Sequence, residues 1–203
     1  YDPLESFDAV AALRAQGRRV IVLYHGGLEK YRYPSPHLRR VCRKFVEKGA
    51  DLVVCQHSHS VGCMEAFGGG NIVYGQGNLL FARYGGEHWN TGLLIGLDTG
   101  DMRLTLVPLE RQGSGVRVSQ RAEILAGFYA RSQEILREGF VEEAFLQRAR
   151  QANYEKKLYG RLGRYVHKLG LDERLMGAKP AAGVLNLLEC DAHRELAAEM
   201  LRQ

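Results

Sequence analysis

The sequence has little cysteine, no long apolar run, and no acidic strand-end motif ahead of its first strand-end histidine. Four cysteines in 203 residues, at positions 42, 55, 63 and 190, are too few for a dense disulfide framework. Reduced thiols in a cytosolic protein are the simpler expectation. Cys55 and Cys63 flank a histidine pair, but their spacing is not that of the usual structural zinc motifs. No apolar stretch reaches the roughly 20 residues that span a bilayer. No secretory leader is seen either, although a chain that starts inside a fold would have lost one. A motif for reading nucleic-acid bases is also missing, and the net charge of +5 is mostly dispersed among acids. No nucleic-acid partner is expected. With 45% hydrophobic and 25% charged residues, the chain has enough apolar surface for a packed core in one or two units.

What is present begins with His57-Ser58-His59, at the end of the apolar run Ala50-Asp51-Leu52-Val53-Val54-Cys55-Gln56. Residues at i and i+2 of a strand share a face, whereas in the turn that follows they can diverge. Imidazole is the commonest neutral metal ligand. A second histidine has the same setting. Arg18 to Tyr24 reads as a buried strand that ends at His25-Gly26-Gly27-Leu28-Glu29. Between the two strands, Ser35 is placed to cap a helix from Pro36 to Lys48 that stops at Gly49. Strands joined by helical crossovers imply a parallel sheet, and ligands of open α/β sheets gather at the carboxyl ends of such strands. His25, His57 and His59 are therefore expected to converge.

Further along, Val61–Phe67 and Asn71–Tyr74 read as strands joined by Gly68-Gly69-Gly70. Glu65 lies inside the first, either as a buried carboxylate orienting a ligand histidine or as an edge residue facing water. Gly75-Gln76-Gly77-Asn78 reads as a sharp backbone excursion, with Asn78 available to a substrate oxygen or to a backbone carbonyl. Thr91–Leu97 and Met102–Leu109 form a further hairpin, followed by a last strand near Val116–Val118. Helical periodicity takes over from about Ser119. Ahead of all this, Asp2-Pro3 is a turn, and Leu4, Phe7, Val10 and Leu13 fall at helical spacing.

The order and spacing of His25-Gly26-Gly27-Leu28-Glu29, Gly49-Ala50-Asp51-Leu52-Val53, Gln56-His57-Ser58-His59, Glu65 and Tyr74-Gly75-Gln76-Gly77-Asn78 follow one pattern. Over about residues 18 to 110 it resembles the CapA family, named for poly-γ-glutamate capsule synthesis and grouped with the calcineurin-like metallophosphoesterases. The sequence departs from that pattern with Gly26 for Trp, Gln56 for Gly, Ser58 for Pro, Gly75 for Ser and Leu79 for Phe. None of these replaces an implied metal ligand. The family's Gly-Asp and Asn-Asn-His motifs have no counterpart before residue 18, so the chain is expected to be the C-terminal part of a larger fold.

The resemblance implies an α/β architecture: part of a four-layer αββα metallophosphoesterase-like sandwich over residues 1–118, then an α-helical extension over 119–203. It implies a metal-dependent hydrolase acting on a phosphoester or a γ-glutamyl amide in poly-γ-glutamate or capsule metabolism. His25 and His57 would bind one divalent ion and His59 a second, as Mn, Fe or Zn, with the remaining ligands coming from the absent half. Glu29, Glu65 and Asn78 are the implied catalytic residues. Arg39 and Arg43, at i and i+4 in the tightest basic cluster, are either a solvated helix face or a substrate-binding rim for an anion. The expected partners are the missing half of the fold, in the same or a separate chain, an anionic small molecule or polyglutamate, and a second copy of the chain. The expected compartment is the cytoplasm, with a cell-surface or membrane-anchored location as the alternative. The Asn-Leu-Leu-Glu-Cys-Asp-Ala-His-Arg-Glu tail is similar to that of some CapA-like proteins, and His193 within it reads as a surface or cap residue. Two other readings stay open: a non-catalytic capsule-assembly component that binds polyglutamate or a partner, and a metal-binding regulatory protein acting through its helical tail.

Overall fold

In the computed structural model, residues 3–80 and 86–152, together with Glu195 and Glu199, are described. The helix α1 (Pro3–Ala15) opens the chain, with proline at a first-turn position, where its missing N–H costs nothing. The four large apolar residues at three-residue spacing do not form one stripe: Phe7 packs on Phe45 with ring centroids 4.6 Å apart and Val10 is buried, but Leu4 and Leu13 are exposed. Steps of three residues rotate backwards by about 60° each, so the first and last of four such residues lie on opposite sides of a helix.

The strands β1 (Ile21–His25) and β2 (Leu52–Gln56) pair in parallel, and α2 (Pro36–Glu47) crosses between them. Ser35 caps α2 as expected: its hydroxyl accepts from the Leu38 N–H at 3.1 Å, and Pro36 occupies the first turn. Leu38, Cys42, Phe45 and Val46, at i, i+4, i+7 and i+8, are the buried stripe of α2. Next come β3 (Met64–Phe67) and β4 (Gly70–Val73), an antiparallel hairpin whose second strand inserts beside β2, giving the order β1-β2-β4-β3. After the short helix α3 (Glu87–Asn90), the strands β5 (Thr91–Leu97), β6 (Leu104–Gln112) and β7 (Gly115–Val118) form a second, antiparallel sheet.

The two sheets stack. On one face of the first sheet, Val53, Cys55, Ile72 and Tyr74 pack with α1 and α2. On the other, Leu52, Val54 and Val73 pack with Leu93, Ile95 and Leu106 of the second sheet and with Ile124 and Phe128 of the helix α4 (Ala122–Glu134). This is the expected α/β sandwich followed by helices. The residues up to Val141 form one compact unit and Glu142–Gln203 a second. The helix α5 (Phe140–Gln151) runs across the division. His193 and Cys190 lie outside the described residues. Among those described, no helix is long and apolar enough to cross a membrane.

Two buried carboxylates hold these layers together. Asp51 accepts from the Val20 N–H at 2.8 Å and from Arg19 and Arg14 at 3.0 and 3.2 Å, tying α1 and the start of β1 to the start of β2. Glu65, its side chain 1% exposed, points inward toward α2. Arg43 grips it at 2.9 and 2.6 Å, the Tyr74 hydroxyl donates to it, and Arg39 stands 3.7 Å away. Arg39 also donates to the Ile135 carbonyl at 3.0 Å. Arg39 and Arg43, read as either a solvated helix face or a substrate-binding rim, instead form an inward ion-pair cluster, and Glu65 neither faces water nor orients a histidine.

Burial alone would raise the Glu65 pKa. The hydrogen bonds from Arg43 and Tyr74 and the charge of Arg39 outweigh it and hold the carboxyl below its ordinary value. A carboxyl depressed in the folded state contributes stability above its unfolded pKa, and that stability is lost as pH falls through the folded value. Acid unfolding should therefore show a stability loss that begins near pH ~4.3 and is shallower in Glu65→Gln. Replacing Arg43 by Met leaves a buried charge short of its main partner. Chemical denaturation at neutral pH should report a loss of about 2–3 kcal/mol, somewhat below the cost for a fully buried pair because Arg43 is partly exposed.

Candidate metal centre

Parallel register places His25 opposite Gln56, the residue just before His57. The two strands thus end together, and the chain turns away from both with its imidazoles at the same end. His25 Nε2 and His57 Nδ1 face one another at 3.2 Å, with ring centroids 5.0 Å apart. Either one nitrogen donates to the other, or both aim lone pairs at one ion. Two imidazole nitrogens bound to a common divalent ion at ordinary lengths and angles lie about 2.9–3.4 Å apart. The observed separation fits that spacing, so His25 and His57 can serve as two ligands of one ion.

His59 diverges from this pair. Its ring centroid is 6.2 Å from that of His57, and its Nδ1 meets Asn78 Oδ1 at 2.9 Å. Asn78 Nδ2 donates to the His88 carbonyl at 3.2 Å, so its oxygen faces His59, and His59 Nδ1 must carry the proton. That tautomer leaves the lone pair on Nε2, the arrangement seen when a partner orients a metal-binding histidine. Asn78 thus reaches both a backbone carbonyl and a site imidazole. Glu29 is exposed on the loop after β1. Among the described residues, no group of three or more His, Cys, Asp or Glu side chains is arranged to hold an ion. Cys55 turns into the α2 core, its Sγ 3.4 Å from that of Cys42, and away from the histidine pair it flanks in sequence.

The backbone here is unusual. Four described non-glycine residues have positive φ, and three belong to this site: Lys30 (56°), His57 (82°) and His59 (53°). Such conformations cost of order 1–3 kcal/mol each and persist where the surroundings over-determine them. The surroundings here are specific. The Gly26 N–H donates to the Gln56 carbonyl at 3.4 Å and the Lys30 N–H to the Ser58 carbonyl at 2.8 Å, stitching the loop after β1 to the histidine loop. The Gln56 amide donates to the Gln76 side chain at 3.1 Å.

Sequence reasoning missed α3. Ser60, fully buried, lies 2.7 Å from His88 Nδ1, and the Trp89 ring lies against His59 with centroids 4.6 Å apart. Arg32 pairs with Glu87 at 2.9 Å, fastening α3 to the loop that follows β1. No sequence pattern near Glu87-His88-Trp89-Asn90 announces this, because the contacts join segments about 30 to 55 residues apart.

Residues 5–83 match the family model described as bacterial capsule synthesis protein PGA_cap. The CapA resemblance holds over that stretch. It covers α1, the first sheet, His25, His57, His59 and Asn78, and ends before α3 and the second sheet. No curated protein matches the chain.

The excursion that carries Asn78 leaves little room. Gly77 has φ 74°, and a Cβ there would lie 2.6 Å from the Thr91 carbonyl oxygen. Gly77→Ala should cost more than about 1–2 kcal/mol in thermal or chemical unfolding, because the left-handed backbone penalty adds to that clash.

Proposed function

We propose that this protein is a metal-dependent hydrolase of the CapA type, acting on a phosphoester or a γ-glutamyl amide in capsule or poly-γ-glutamate metabolism. The observation that carries the reading is the facing pair, His25 Nε2 and His57 Nδ1, at ligand spacing on adjacent strand ends. His25 and His57 would hold one divalent ion, and His59, oriented through its Nδ1 by Asn78, would bind a second. The donors are imidazoles of borderline character, which suits Mn, Fe or Zn. A divalent ion in such a site supplies an acidified water and polarises the bond to be cleaved.

The chain's own residues contribute position. Asn78 fixes the tautomer and direction of His59, Trp89 covers one face of that ring, and the Lys30–Ser58 backbone bond holds the two loops in register. Glu29, exposed four residues beyond His25 in the same loop, would be the acid that acts on substrate. Carboxylate ligands would come from a segment that covers β1, either in a longer form of the chain or in a separate one. Ile21 and Leu23 support this: they are exposed on the same face as the buried Leu52 and Val54, extending an apolar surface past the second sheet.

Elemental analysis after metal reconstitution tests the proposal, comparing the parent protein with a His57→Ala/His59→Ala double variant. Bound transition metal that is lost in the variant is the expected result, and it directs substrate screening toward phosphoesters and γ-glutamyl peptides. If the reconstituted parent carries no transition metal, the hydrolase reading fails and a role in binding polyglutamate or a partner protein replaces it.

A further inference from the structure

Lys30 is a cation with an unusual address. Its backbone is left-handed and pinned through its N–H to the carbonyl of Ser58, the residue between the two loop histidines. Among the described residues its side chain meets no carboxylate. Nζ instead lies 5.4 Å from the centroid of the Trp89 ring, and that ring rests on His59. The neighbouring guanidinium of Arg32 is occupied by Glu87 and holds α3 in place. A partly exposed ammonium–indole contact is weaker than a charge-assisted hydrogen bond to an oxyanion. An anion arriving at the imidazoles would therefore draw Nζ from the ring with little loss.

We propose that Lys30 and Trp89 form an oxyanion subsite beside the imidazole cluster, holding a phosphate or carboxylate group of the substrate. The proposal deepens the hydrolase reading and rests on it for the word substrate, but the anion site itself requires no metal. Lys30 would supply the positive charge. Trp89 would form an apolar wall that excludes water from one side and strengthens the ion pair. Phosphate esters and γ-glutamyl chains both present such a group, so the shared chemistry is a compact oxyanion.

Trp89 is the single tryptophan of the chain, so its emission reports directly on this spot. The 203-residue chain, with chelator present, is titrated separately with inorganic phosphate and with γ-glutamylglutamate. Trp89 fluorescence and calorimetric heat are both read. Saturable binding of at least one anion is expected, and the one that binds identifies the source of the oxyanion. Lys30→Gln should weaken it by ~10-fold or more, while Lys30→Arg should retain it within about threefold. Binding by Lys30→Gln as tight as the parent's, loss of binding in Lys30→Arg, or no binding of either anion would overturn the subsite. Because no metal takes part, failure of the imidazoles to bind an ion and failure of Lys30 to bind an anion register independently.

Discussion

The in-register parallel pairing of β1 with β2 is the constraint on which the rest of the site depends. With His25 opposite Gln56, the two strands end together, and His57 follows directly on the second. A slip of one residue would turn every side chain of one strand to the other face, separating His25 from His57 and burying one of them. Register is secured away from the histidines. Asp51 gathers the Val20 N–H, Arg19 and Arg14 at the opposite end of the strands. Behind the sheet, Cys42, Phe45 and Val46 of α2 pack against Val53 and Cys55. The Gly-Ala-Asp portion of the motif is thus a structural fastening, and the histidine portion is what it holds in place.

Much of this was legible because it is local. Apolar runs gave β1 and β2, the Ser35-Pro36 pair gave the start of α2, and the triple glycine gave the β3–β4 turn. The convergence of His25 and His57 followed from a general rule about strand ends rather than from any detail of this chain. What stayed hidden depends on partners distant in sequence. Glu65 and Arg43 are 22 residues apart, and neither residue signals by itself that the other neutralises it in the core. Arg39 and Arg43 looked like a rim because i,i+4 basic residues usually face solvent. Only the depth at which β3 presents Glu65 to α2 turns them inward. The recruitment of His88 and Trp89 was hidden for the same reason.

Strain and stitching balance in the histidine loops. Positive φ at Lys30, His57 and His59 would relax in an isolated turn, since β and right-handed α conformations are lower in energy. It persists because each distorted residue is tied elsewhere: Lys30 to Ser58 by a backbone bond, His57 to His25, and His59 to Asn78 and Trp89. The ties cross between loops, so no one loop holds its shape alone. Substitutions that leave every donor atom in place can still disturb the site through the backbone.

That distinction bears on the departures from the CapA pattern. Gly26 lies against the Tyr24 ring so closely that any side chain there would have to displace it, so a tryptophan at this position would require a different Tyr24. Gln56 has exchanged the freedom of glycine for a side-chain bridge to Gln76, which links the end of β2 to the excursion carrying Asn78. Ser58 is buried and its hydroxyl donates to the Ser60 carbonyl, a bond that proline in the family pattern would lack while keeping the carbonyl that accepts from Lys30. These changes therefore alter how the loops are braced, while the imidazoles themselves are kept. The bracing differs around imidazoles that are kept, so it is the positions of His25, His57 and His59 that any account of the chain's chemistry must explain.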